Sequence, residues 1–180
     1  MGLRTVNIKY ESLDIGAIEA YANSLTEDDV VTFGKGDKLE FDFDLGNANV
    51  HRQLEDKLND EMSDAGIDVA RGSDFVLKAT YTVGKPETRT FRIIGRFGRP
   101  ESTRKVTLTP KSCNAQLIYK GAVIWSRSDS VSLGQPWSVE DLNERIKKAQ
   151  SLNASRLLKF KYPVELRVLH PEKVQTFKWE

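Results

Sequence analysis

Residues 39–69 read LEFDFDLGNANVHRQLEDKLNDEMSDAGIDV, and their pattern decides the fold class. Leu39-Glu40-Phe41-Asp42-Phe43-Asp44-Leu45 alternates apolar and acidic side chains without a break. Successive side chains of a strand point to opposite faces, so this segment predicts a strand with one buried and one wet face. The period then changes. Val50, Leu54, Leu58, Met62 and Ala65 fall along one helical face, while Arg52, Glu55, Asp56, Lys57, Asp60 and Glu61 lie largely elsewhere. A helix is therefore expected from Asn49 to Ala65. Gly66 suits the left-handed residue that closes a helix, and Ile67-Asp68-Val69 opens a short strand.

Working upstream, residues 3–10 read as a strand and 12–24 as a helix capped by Ser12 or Asp14, with Ile15, Ile18 and Ala22 at helical spacing. Val30-Val31-Thr32-Phe33 is a short strand, and Gly34-Lys35-Gly36-Asp37 a turn. Downstream, strands are expected at 75–83, 88–96, 104–109, 113–119 and 122–128, the last two forming a hairpin about Lys120-Gly121. Trp125 is expected to face the core. Ser138-x-x-Asp141 resembles a capping box. It opens a helix whose apolar face is Leu142, Ile146 and Ala149, extending to Leu152 if the helix runs that far, and which breaks near Asn153 or continues to Lys159. Strands at 164–169 and 173–179 flank His170-Pro171. Strands clustered between helices predict an α+β fold: a mostly antiparallel or mixed sheet of six or more strands, with helices near 13–24, 49–65 and 138–158. The organisation expected is a single domain over 1–180 with an excursion at 85–111.

The 180 residues suit one core. No apolar run approaches the roughly 20 residues needed to span a bilayer. Cys113 is the one cysteine, so no intramolecular disulfide forms; it reads as a small buried strand residue. The charge is segregated. Residues 1–84 hold 8 basic and 17 acidic side chains, residues 85–111 hold 8 and 2, and residues 112–180 hold 11 and 7. The net charges are −9, +6 and +4. Such asymmetry bears on partners more than on fold.

The strand at 39–45, the helix at 49–65, Gly66-Ile67-Asp68-Val69, Ser73-Asp74-Phe75-Val76-Leu77 and Gly121-Ala122-Val123-Ile124-Trp125-Ser126 together resemble bacterial cell-envelope lipoprotein domains of the transport-auxiliary and curli-secretion-channel kind. The resemblance covers about half the chain. It implies a non-enzymatic role in envelope assembly or transport, although the lipidated cysteine of those proteins has no counterpart here. The location implied is periplasmic or cell-envelope if a leader has been removed, and cytoplasmic otherwise.

The basic stretch is the sharpest local anomaly. Arg89, Arg92, Arg96, Arg99, Arg104 and Lys105 surround Phe91, Ile93, Ile94 and Phe97. Arginines interleaved with aromatics suit phosphate neutralisation with Phe91 and Phe97 stacking on bases. The blander reading, preferred, is a solvated hairpin whose arginines pair with the acidic first half. Ile93-Ile94-Gly95-Arg96-Phe97-Gly98 looks like the glycine loop of KH domains. That loop needs a helix after it, and residues 99–110 read as loop and strand. Glu40, Asp42 and Asp44 share one strand face, and Asp42-x-Asp44-x-Gly46 faintly resembles a calcium loop but lacks the third acidic ligand and the bidentate glutamate; alternation alone accounts for the three. His51 and His170 have no histidine or cysteine at metal spacing. Trp137, after Pro136, reads as a staple onto Asp141–Leu142, with an interface anchor as the alternative. No convergent catalytic set is visible, so the chain is expected to be non-enzymatic, without cofactor or metal. Its partner is expected to be a protein, with a nucleic acid or other polyanion as the alternative.

Overall fold

The computed structural model describes residues 15–94, 100–131, 134, 136 and 138–169. The chain divides into two compact units, Phe33–Leu166 and the pair of segments Met1–Thr32 and Arg167–Glu180. In the smaller unit, helix α1 (Ile15–Ser24) leads to a 3₁₀ turn at Glu27–Asp29. Asp29, nearly buried, accepts hydrogen bonds from the backbone and hydroxyl of Thr26 at 2.8 and 2.9 Å. Strand β1 (Val30–Phe33) pairs with β9 (Leu166–Leu169), and Arg167 reaches Glu27 at 3.2 Å. The strands expected at 3–10 and 173–179 lie outside the described residues.

The larger unit is built on β2 (Lys38–Asp44), α2 (Ala48–Asp64), β3 (Asp68–Val69), β4 (Phe75–Val83), β7 (Lys111–Tyr119) and β8 (Ala122–Ser130). Strand order is β3-β2-β4-β7-β8. β2 runs parallel to β3 and β4, and β7 is antiparallel to β4 and β8. The fold is α+β with a mixed central sheet. The expected strands are shared among three sheets, because β1–β9 and the hairpin of β5 (Glu87–Ile94) and β6 (Pro100–Leu108) pair separately.

Local chemistry accounts for the element ends. Asn47 caps α2 by accepting from the amides of Asn49 and Val50, which satisfies two donors that the first turn leaves open. Gly66 closes α2 at φ 74°. Lys120 and Gly121, at φ 47° and 86°, form the two-residue turn whose twist matches the strands it joins. α3 (Val139–Ser151) begins at Ser138, whose hydroxyl accepts from the Asp141 amide. It ends at Ser151 because Leu152 is extended and Asn153 caps a new 3₁₀ helix, Ala154–Lys159.

Register sorts the central sheet into two faces. Leu39, Phe75, Leu77, Ala79, Cys113, Ala115 and Leu117 point to one side and are buried. That side is covered by α2, through Leu54, Leu58 and Met62, and by the segment carrying Leu157, Phe160 and Tyr162. Opposite it lies a hydroxyl- and amide-rich face. Its cross-strand rows are Asp44–Thr80–Asn114–Ser128 and Asp42–Lys78–Gln116–Ser126. The β5–β6 hairpin and α3 form a second, smaller core: Phe91, Ile93, Leu142 and Ala149 are buried, with Val106 and Ile146 packed against them.

Candidate functional site

The basic hairpin is placed first, since the sequence singles it out. Antiparallel register puts Arg89, Phe91 and Ile93 on the same face as Val106, Arg104 and Ser102. This face carries the core on α3, and Phe91 is only 7% exposed. Its ring is therefore not free to stack on a base, which corrects the stacking reading at this position. Phe97, Arg96 and Arg99 lie outside the described residues, as do Trp137 and His170. The outer face carries Thr88, Thr90 and Arg92 beside Thr107, Lys105 and Thr103, all exposed. No aromatic ring stands on it among the described residues.

Two of the hairpin's cations have local acidic neighbours. Arg89 binds Glu87 of its own strand at 2.9 Å. Hydrogen bonds from its own backbone and from Ser138 hold Glu140 below the usual carboxylate range, with a smaller contribution from Arg104 across on β6. Glu87 and Glu140 both lie outside residues 1–84, so these two arginines are answered from within the hairpin and α3, not from the acidic first half. The chain after the glycine loop is strand β6, so the helix that a KH loop requires is replaced by a strand.

At the base of the hairpin a cleft of about 350 Å³ opens over Leu108, Pro110, Val131 and Ala149. Its two cations are engaged: Arg89 with Glu87, and Lys111 as donor to the Gln150 carbonyl at 2.9 Å. The acidic strand β2 is likewise occupied. Glu40 accepts from the Gly72 amide at 2.6 Å and Asp42 binds Lys78 at 2.7 Å. His51 packs its ring edge-on to Phe43 and lies 3.8 Å from Glu55. Among the described residues no group of three His, Cys, Asp or Glu side chains converges as metal ligands. Burial pushes the Cys113 thiol up, and its Sγ donates to the Asn153 carbonyl; it is a packed, protonated thiol.

The feature that stands out lies at the edge of the central sheet. β8 is its last strand, nine residues long, and among the described residues no strand pairs with its outer side. Trp125, Arg127 and Asp129 of β8 share the helix-covered face with Leu117, Ala115 and Cys113. Trp125 is half-buried, 6.1 Å from the Tyr162 ring. The Arg127 guanidinium stacks 5.1 Å from the Phe160 ring centroid, and Asp129 is clamped by Arg156. Two adjoining hollows of about 320 and 510 Å³ run alongside, sharing Asp129, Arg156 and Lys159 and extending to Arg127 and Lys148. Four cations thus line a trough holding one carboxylate, and that carboxylate is paired. Sequence reading passed over these residues. They come from a strand, a helix and a 3₁₀ turn, and the only signal was the +4 of residues 112–180.

The larger unit is thus an α+β module with a mixed sheet, a satellite hairpin core and, at β8, a long sheet edge with no strand paired to it among the described residues. No protein-family model and no curated protein matches the sequence. Solved structures do resemble it distantly. A minor lipoprotein of Acinetobacter baumannii is 17% identical, over 67% of this chain and 85% of that one, with a TM-score of 0.29. A Neisseria meningitidis lipoprotein is 15% identical over 62% and 94%, also at 0.29. A homologue of a neuraminyllactose-binding hemagglutinin from Helicobacter pylori is 8% identical over 70% and 84%, at 0.29. The similarity to bacterial lipoproteins read from the sequence is met by distant matches of this kind, which bear on no function.

Among the described residues no helix is long and apolar enough to cross a membrane.

Proposed function

We propose that this chain is a non-catalytic binding module that takes a partner protein by strand addition at the outer edge of β8. The observation that carries this reading is the nine-residue edge with no strand paired to it among the described residues. An edge strand presents a row of backbone donors and acceptors, which an extended segment satisfies by adding one more strand. β8 is long enough for several such bonds, whereas the opposite edge, β3, spans two residues. The polyanion alternative keeps the hairpin's charges but has no stacking ring among the described residues, so nothing in the geometry favours it over protein contact. The cell envelope is the setting implied by the sequence resemblance alone. Fractionation of the native host that finds the chain in the cytosol removes that part of the proposal.

The test is a selection of random linear peptides against the full chain, followed by amide hydrogen exchange with the peptides recovered. Strand addition protects the amides of alternate β8 residues, those that point away from β7. Selected peptides that leave every β8 amide exchanging as in the free chain overturn the reading.

A further inference from the structure

We infer that the strand received at β8 carries carboxylate side chains on alternate residues, seated in the basic trough beside that strand. This rests on strand addition at β8 and specifies the chemistry of the partner. A strand added in register with β8 places every second side chain on the helix-covered face, next to Trp125, Arg127 and Asp129. On that side the trough begins. Arg127 and Asp129 belong to the edge strand itself, and Arg156 and Lys159 stand across from them. Lys148 extends the positive surface toward the end of α3.

Among the described residues the charge is answered only in part from within. Among the described residues Arg156 is the one trough cation in an ion pair, with Asp129. Arg127 contacts an aromatic ring, while the ammonium groups of Lys148 and Lys159 meet no carboxylate there. An added strand with carboxylates at alternate positions meets cations on this face and serine and amide groups on the other. A lysine-bearing strand meets like charge. The same reasoning disfavours a second copy of this chain. Antiparallel pairing of β8 with β8 brings two Arg127 residues and two troughs to one seam, and like charges placed opposite one another are destabilising. The occupant is therefore an acidic extended segment of another protein.

The probes are three synthetic peptides of equal length with Thr at every second position and Glu, Gln or Lys between, together with an oligothymidylate. Affinity is read by fluorescence anisotropy at low salt, and site by hydrogen exchange. The Glu peptide is expected to bind about tenfold more tightly than the Gln peptide, since exposed pairs contribute a few tenths of a kcal/mol to about 1 kcal/mol each. Both are expected to protect alternate β8 amides, and the Lys peptide is expected to bind most weakly. The double variant Lys148→Glu/Lys159→Glu, changed at exposed positions, is expected to erase the preference for Glu while keeping the Gln peptide bound. Equal binding of Glu and Gln peptides with β8 protected overturns the acidic specificity and leaves strand addition standing. Failure of all three peptides to protect β8 overturns strand addition itself. Tighter binding of the oligothymidylate than of the Glu peptide, or dimerisation of the free chain through β8, overturns the inference in favour of a polyanion or of self-pairing.

Discussion

Lys57 shows how one side chain reverses its apparent role. The sequence places it on the polar side of α2, yet its ammonium donates to the carbonyls of Leu158 and Phe160 at 3.0 and 3.2 Å and lies 5.4 Å from the centre of the Tyr162 ring. It thus ties the helix to the 3₁₀ segment that completes the core. Lys57→Ala leaves both carbonyls without this donor, and a loss of about 1–3 kcal/mol is expected in urea denaturation. Tyr162 makes a separate statement about pH. Burial, with smaller effects from Cys113 and Glu61, pushes its phenol well above the ordinary value, and its hydroxyl donates to the Leu157 carbonyl at 3.0 Å. The unfolded chain loses this proton near about pH 10, whereas the folded chain keeps it. The contribution is therefore complete below that pH and declines as pH rises further. Tyr162→Phe should flatten the alkaline fall in melting temperature, while costing about 1 kcal/mol at neutral pH through the missing hydrogen bond.

Helix α2 and strand β4 were legible because their signals are local. The apolar face of α2 follows a 3.6-residue period with a glycine beyond its end, and the strand expected at 75–83 is observed as Phe75–Val83. The Lys120-Gly121 hairpin was legible for the same reason, and it yields a direct test. At φ 86° Gly121 occupies backbone that a Cβ disfavours, so Gly121→Ala is expected to cost about 1–2 kcal/mol in chemical denaturation. What stayed hidden was pairing. No residue of β2 announces that it runs parallel to β4, since that follows from α2 carrying the chain across to β3. Nor does any residue of β8 announce that it ends the sheet. The trough was illegible for the same cause: Arg127, Lys148, Arg156 and Lys159 belong to three elements and meet only once the strand order is set. The basic hairpin was conspicuous in the sequence because its charges are contiguous there, although Phe91, read as a stacking ring, turns out to be core.

Two cores within the larger unit imply two stabilities. The hairpin and α3 share Phe91, Ile93, Leu142 and Ala149, whereas the central sheet relies on α2 and the 3₁₀ segment. Leu142→Ala removes a fully buried side chain from the smaller cluster, a change worth about 2–5 kcal/mol. Hydrogen exchange is expected to quicken in β5, β6 and α3 while β4 and β7 remain slow, since proteins open in cooperative subunits. Uniform acceleration throughout the unit would show one cooperative core instead. The like-charge repulsion inferred at the edge of β8 has a further result if strand addition holds there. An edge that disfavours its own copy resists self-pairing as the protein becomes more concentrated. A partner then meets no competing homodimer, and the free partner concentration at half-saturation reports the intrinsic affinity. Fractional occupancy would thus follow the concentration of free partner and the ionic strength, with no contribution from self-association.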